Sequence, residues 1–435
     1  MVSSNSSETL LSDLKFSSVV PAKVTGDTDY ELTNLDLALK LHYVKAVYFF
    51  NSEAVRGLTI YDLKKPMFQL LELFFTSSGR IRRSQTTGRP FVKCNDGGVR
   101  IVEAFCDKSM EEWMAMDDDS RHDRLAYSQV LGPDLGFSPL VFIQFTWFKS
   151  GGMSLGLSWA HVIGDPISAS AFVHMWGQIG AGKHVSPTSL QVQQPKNSET
   201  KTPGPVPAGN LFPIKRVDPV GDLWQTPSNY NMKTHSFKFT TKQLRQVEST
   251  ACKKAAKVSL FEVISALIWK SLSKIREDSG PGVVTICRYN SGRRDNQMPA
   301  NDMVLTTAEA GFNVSKCDVL ELAELIGDSR TGDGNRAFDE MSEKESESSD
   351  FIIYGANLTF VNMEGADIYG LKLQGEKPVF VSYSINGVGE EGVVLVLPGP
   401  EGESDCECGR TVTVVLPENQ LQKLKKKLNQ EWNLV

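Results

Sequence analysis

Residues 140–182 read LVFIQFTWFKSGGMSLGLSWAHVIGDPISASAFVHMWGQIGAG, and two strands and a helix are legible in them. Leu140 to Phe148 is a β-branched and aromatic run, Gly151-Gly152 supplies turn chemistry, and Leu155, Leu157 and Trp159 alternate along the next run. The two runs are expected to pair as a hairpin. Pro166 suits the first turn of a helix, where a missing N–H has no bond to lose. His161 is therefore expected at a strand end, in a loop that opens a helix.

A histidine on such a rigid support is placed for general base work, because neutral imidazole titrates near the pH at which it must take a proton. A satisfied structural histidine is the plainer reading of the same residue. Asp165, immediately before Pro166, is suited to cap the helix, its carboxylate accepting backbone N–H bonds, and that role requires no chemistry.

The chain has 435 residues, two to three times a common domain, so two domains are expected. Val185 to Pro213 carries repeated prolines amid Ser, Thr, Gln and Lys, a composition that cannot bury a core and reads as an exposed crossover. The expected division is one domain over 1–184, a linker over 185–213 and a second domain over 214–435. A formal net charge of −6, without a Lys/Arg stripe, argues against a nucleic-acid partner. The seven scattered cysteines form neither a disulfide framework nor a paired zinc motif, as expected of a reduced, intracellular protein. The start of the chain lacks the apolar core of a secretory signal. With no run approaching the ~18 residues of a membrane span, any membrane association is expected to be peripheral or through a partner.

Elsewhere, Val44 to Phe50 reads as a first strand. Leu58 to Phe75 has helical spacing, with Pro66 expected near its start, and Phe91 to Val102 reads as two short strands hinged at Asn95-Asp96-Gly97-Gly98. His235 to Phe239 is strand-like. Ser259 and Glu262 make a capping box ahead of a helix that buries Val263, Leu267, Ile268, Leu272 and Ile275. Asn335 to Asp350 is charged and serine-rich, as a solvated surface segment would be. Further strands are expected at Phe351 to Val361, Val379 to Ile385, Val393 to Leu397 and Thr411 to Leu416. A last helix, Glu418 to Trp432, sets Leu421, Leu424 and Leu428 on one narrow face; docking on its own domain is preferred over contact with an anionic membrane.

Two motif matches fail on physical grounds. Gly387 to Gly392 fits GxGxxG, but a β-rich run follows where a dinucleotide site needs a helix N-terminus, and two glutamates would repel a pyrophosphate; a hairpin turn is expected instead. Gly156-Leu157-Ser158-Trp159-Ala160 stops one residue short of a nucleophile elbow, and Ser158 lies inside a strand.

The stretch HVIGD, with His161 and Asp165, resembles the HxxxD motif of the plant BAHD acyltransferases. Ser78-Gly79-Arg80 is similar to that family's AGR, Cys94 to Val99 to its CNDxGV, and Ala266 to Lys270 to its AxxW(R/K) helix, all in family order. The resemblance implies a two-domain CoA-dependent acyltransferase fold of α/β class, mixed sheets flanked by helices, with His161 at a channel between the domains. It also implies His161 as general base on an acceptor hydroxyl or amine that attacks an acyl-CoA thioester, if the protein is active, with Asp165 structural. Acyl-CoA would be a substrate or ligand, with no permanently bound cofactor and no metal.

Departures from the family pattern narrow this. Lys372 to Glu376 stands where DFGWG is expected, so Lys372 reverses the charge of an aspartate that in the family pairs with an arginine. After Gly292-Arg293-Arg294 the chain reads MPANDMVLTTAEA in place of YFGN, and Pro166 replaces the usual glycine after HxxxD. Together with LDLALKLHYVKAVYFF, LGPDLGFSPLVFIQFT and DFIIYGANLTFVN, these losses resemble the Eceriferum/Glossy clade. That resemblance implies a role in plant cuticular wax formation: support of very-long-chain fatty acyl elongation beside a condensing enzyme, on the cytosolic face of the endoplasmic reticulum through that partner. A cytoplasmic, active O- or N-acyltransferase is the alternative.

Overall fold

The computed structural model describes residues 10–116, 121–183, 214–227, 230–251, 258–277, 280, 282–289, 299–329, 338, 349–400 and 409–434. The proline-rich crossover, Gly292 to Arg294 and most of the charged segment before Asp350 lie outside them.

Two six-stranded mixed sheets organise the chain. The first runs, in spatial order, β1 (Leu11–Val19), β6 (Val99–Cys106), β7 (Val141–Phe148), β8 (Met153–Ala160), β3 (Tyr43–Phe50) and β15 (Phe380–Asn386). The second runs β10 (Met232–Phe239), β17 (Arg410–Pro417), β16 (Val393–Pro398), β14 (Leu358–Asn362), β11 (Val283–Tyr289) and β12 (Met303–Glu309). Smaller sheets join β2 (Thr28–Glu31), β5 (Pro90–Cys94) and β4 (Arg80–Arg83), and β13 (Asp350–Ile352) with β9 (Lys215–Val217). The α-helices described are α1 (Asn34–Ala38), α2 (Ser52–Val55), α3 (Ile60–Leu73), α4 (Met110–Met114), α5 (Pro166–Gly180), α6 (Thr241–Ala251), α7 (Leu260–Ile275), α8 (Val319–Asp328) and α9 (Glu418–Trp432).

Strand β3 shows why the first sheet is buried on both faces. Successive side chains point to opposite sides of a strand. Val44, Ala46, Tyr48 and Phe50 enter the main core with Leu70 and Leu71 of α3 and Phe172 of α5, whereas Val47 and Phe49 join Trp113, Phe148 and Phe380 in a smaller one. The main core continues into the second sheet through Cys287, Met303, Val361 and Leu395. The far side of that sheet packs on α7 and α9, with Leu421, Leu424 and Leu428 buried there, so the last helix docks on its own domain.

The hairpin read from residues 140–160 is present: β7 and β8 pair antiparallel, Val141 opposite Trp159 and Trp147 opposite Met153. Ser158 lies within β8, as expected. Several other expectations are corrected. The strands flanking Asn95 to Gly98 do not pair with each other; β5 belongs to a small sheet and β6 to the first large one. The turn is instead wrapped around the buried Arg80 guanidinium, which donates to the carbonyls of Gly97 (2.6 Å) and Gly98 (3.0 Å). Gly98 has φ +76°, and a Cβ there would lie 2.5 Å from the Val19 carbonyl oxygen, so only glycine fits.

Gly387 to Gly392 is not a hairpin turn either. It carries the chain from one large sheet to the other, because β15 pairs antiparallel with β3, Phe380 opposite Phe49 and Asn386 opposite Tyr43. Thus 380–386, expected within the second domain, is an edge strand of the first sheet. Pro66 lies inside α3 and not near its start, since the Thr59–Asp62 capping box begins the helix at Ile60. Phe351 to Val361 divides into β13 and β14, which serve different sheets.

Candidate functional site

Strand β8 delivers His161 at the start of a short 3-10 turn, His161–Ile163, which ends at Gly164. Trp159 Nε1 donates to the Gly164 carbonyl at 2.9 Å and ties the loop to the strand that precedes it. Gly164 has φ +152°, and a Cβ would stand 2.9 Å from Ser168 Cβ and 3.2 Å from the Ala300 nitrogen. The absence of a side chain lets helix α5 and the Ala300 segment close on the loop.

Asp165 caps α5: its Oδ1 accepts from Ser168 N at 2.8 Å, with Pro166 in the first turn. Its second oxygen accepts from Asp302 N at 3.1 Å, and its own N–H donates to the Ala300 carbonyl at 3.2 Å. Ser168 Oγ donates to that carbonyl as well, at 2.9 Å. The aspartate therefore holds the helix start and the segment 300–302 together. Asn301, in that segment, donates to the His161 carbonyl (2.9 Å) and to Asp36 Oδ1 (2.7 Å). Burial raises the Asp36 carboxyl, and hydrogen bonds from Asn301 and Thr33 oppose that rise.

His161 itself is 0% exposed. Its Nε2 is 2.9 Å from the hydroxyl of Tyr354, which is equally buried, and the rings lie 5.4 Å apart. The same hydroxyl donates to Met303 Sδ at 3.3 Å. His161 Nδ1 is buried as well. Burial lowers His161 to about 4, weakly opposed by its own backbone carbonyl and by the side chain of Asn301 as acceptors. Behind it, His42 accepts from Ile353 N at 3.0 Å through Nε2, packs edge-on to Tyr354, and is lowered to about 3 by burial and then by His161. Burial also pushes the Cys287 thiol up to about 12 and Tyr354 well above the usual phenol range.

Chemically, the site holds a neutral histidine whose Nε2 is engaged by a phenol. A general base works best with a pKa near the operating pH and direct reach to the proton it takes. Here basicity is depressed and the reach is occupied.

The two site residues read from the sequence thus lie on one loop, His161 in the buried cluster and Asp165 beneath it. Lys372 is exposed, on a segment whose Leu371 and backbone lie against Gly177 of α5. Sequence reasoning missed Tyr354, His42 and Asn301. Asn301 falls in the MPAND stretch that departs from the family pattern, and Tyr354 and His42 fall in the clade-like stretches DFIIYGANLTFVN and LDLALKLHYVKAVYFF; those were their signals. Among the described residues no group of His, Cys, Asp or Glu is arranged to hold a metal ion, and no helix is long and apolar enough to cross a membrane.

Comparison with known proteins bears on this site. The family model named Transferase family matches residues 14–303. Protein ECERIFERUM 2 of Arabidopsis thaliana is 40% identical over 436 residues, covering 96% of this chain and 98% of the relative. Protein ECERIFERUM 26-like of the same plant is 38% identical over 406 residues, covering 92% and 90%. Among solved structures, vinorine synthase superposes with a TM-score of 0.68 at 18% identity, covering 97% of this chain and 98% of that one. F. graminearum TRI101 complexed with coenzyme A and deoxynivalenol gives 0.71 at 16% identity, covering 93% and 98%.

Proposed function

Because this chain belongs to the Transferase family and, within it, to the Eceriferum-like clade of BAHD proteins, we propose that it supports elongation of very-long-chain fatty acyl-CoA in cuticular wax formation as an accessory of a condensing enzyme. The observation that carries this reading is the closure of Tyr354 over His161 Nε2. Elongation has its own condensing, reducing and dehydrating enzymes, so a further acyl transfer is not chemically required of this chain. Binding is required of it. A lengthening acyl chain in water costs about 0.8 kcal/mol per exposed CH₂, and a partner that receives or shields that surface changes the length at which elongation stops. Long-chain acyl-CoA is the ligand, and the cytosolic face of the endoplasmic reticulum is reached through the condensing enzyme.

The test is co-expression with such a condensing enzyme in yeast, comparing wild type with His161→Ala at matched protein levels. Longer acyl products from both support the accessory reading. Longer products lost with His161→Ala return the protein to catalysis, with His161 as the base of an O- or N-acyltransferase. No change in chain length from wild type, despite demonstrated association, ends the accessory reading for that partner.

A further inference from the structure

Strand register brings a second histidine up to His161. In the first sheet β3 lies between β8 and β15, with Tyr43 opposite Ala160 on one side and Asn386 on the other. One residue further out, at the start of β3, the same register sets His42 between His161 and Gly387. The His161 N–H donates to the His42 carbonyl at 3.1 Å. Main chain therefore fixes where the His42 ring emerges relative to the HxxxD loop.

The ring makes a second connection. Its Nε2 is 3.0 Å from Ile353 N, and a backbone N–H can only donate, so Nε2 is the bare nitrogen and Nδ1 carries the proton. The carbonyls of Asn386 and Gly387 favour that proton, weakly against burial. Tyr354, the residue after Ile353, lies edge-on to the imidazole with the ring centres 5.1 Å apart. His42, Ile353 and Tyr354 are all 0% exposed. On the far side of the ring, Gly389 N donates to the Tyr354 carbonyl at 2.9 Å. The chain is thus held by His42 as it enters Tyr354 and by Gly389 as it leaves, and the phenol between them points at His161 Nε2.

We propose that His42 is a positioning residue of this site: by accepting from Ile353 it holds the Tyr354 hydroxyl on His161 Nε2 and so keeps that base out of chemistry. The proposal rests on the accessory reading above and gives the closure a purpose. A base that took a proton from water would let the oxygen attack the thioester carbonyl of a sheltered acyl-CoA, releasing the carboxylate and the CoA thiol. With Nε2 held by the phenol, His161 is not available for that proton. His42→Leu leaves the buried Ile353 N–H without an acceptor, which is costly enough to shift the loop, and Tyr354 with it.

The experiment is diethylpyrocarbonate modification of the full chain with peptide mass mapping, on wild type, His42→Gln, His42→Asn and His42→Leu. The partly exposed His174 is the reference, and a urea midpoint shows that each variant is folded. Glutamine places its Oε1 where Nε2 sits and can accept from Ile353, whereas asparagine reaches only as far as Nδ1, so two similar polar side chains are told apart by the bond itself. Modification of His161 about tenfold faster than in wild type is expected in His42→Asn and His42→Leu, through local opening, and a rate within about threefold of wild type in His42→Gln. Equal protection in every folded variant overturns the role of His42 while the closed site stands; wild-type His161 as reactive as His174 overturns the closed site as well. Native-state hydrogen exchange of wild type decides the matter even if the asparagine and leucine variants do not fold. The Ile353 amide should then be as protected as His161, and an amide that opens about tenfold more readily than His161 is modified overturns the proposal.

Discussion

The Tyr354 hydroxyl lies 2.9 Å from His161 Nε2, joining residues 193 positions apart in the chain. The contact comes from β8 on one side and the loop between β13 and β14 on the other, so it exists only when the two sheets are together. It also accounts for a histidine that keeps its motif while losing its access.

Tyr354→Ala is expected to lower stability by about 3–5 kcal/mol, the usual range for deleting a buried aromatic ring, and to make His161 reactive toward diethylpyrocarbonate. Peptide mass mapping checks this, with the partly exposed His174 as internal control. Tyr354→Phe, which keeps the shape but strips Nε2 of its partner, should cost about 1–3 kcal/mol. Wild-type His161 modified as fast as His174 would show the site is open.

Asp165→Asn and Asp165→Ala should separate its two bonds. Asparagine retains one accepting oxygen for Ser168 N and presents an NH₂ to Asp302 N, so it loses about 1–3 kcal/mol for the unmade bond. Alanine loses the cap as well, roughly a further 0.5–2 kcal/mol. Urea midpoints of the three proteins check the order; equal midpoints for asparagine and wild type would remove the clasp on Asp302.

Acid should destabilise the fold through His161. Its pKa falls from 6.5 in the unfolded chain to about 4 in the fold, so between those values the unfolded state binds more protons. Unfolding free energy therefore drops as pH falls through that window, by about 3 kcal/mol in total, and is unaffected by this group above it. Urea denaturation at pH 7, 6 and 5 should show a slope near 1.4 kcal/mol per pH unit shallower in His161→Gln than in wild type. Parallel slopes would show that His161 does not titrate in this way.

Arg80→Lys removes a fork that reaches the carbonyls of Gly79, Gly97 and Gly98 at once. An ammonium cannot span them. Since a hydrogen bond to a charged group contributes about 1.5–3 kcal/mol, a loss of that size is expected in chemical denaturation; a variant as stable as wild type would show that the turn needs no guanidinium.

What the sequence made legible were features governed by near neighbours. Alternation along Leu155, Leu157 and Trp159 gave the hairpin, and an aspartate before a proline gave the start of α5. The failures share a physical origin. Asn95-Asp96-Gly97-Gly98 has hairpin composition, but its glycines are required by Arg80 and Val19, partners remote in sequence. Pro66 suits a place near a helix start, but the Thr59–Asp62 capping box begins α3 at Ile60 and leaves the proline in its interior. For Tyr354, no periodicity encodes a meeting with His161; only the assembled sheets do.

The place of β15 has a consequence for synthesis. A chain leaves the ribosome from its N-terminus, and strands β1, β6, β7, β8 and β3 emerge long before Phe380–Asn386. Until then the outer edge of β3 offers unpaired N–H and C=O groups, a template for pairing with other chains. The nascent protein therefore spends most of its translation with an unfinished sheet, and only the late arrival of residue 386 closes the edge. A premature stop between Ala160 and Phe380 leaves the aggregation-prone edge bare even though every other strand of that sheet has been made.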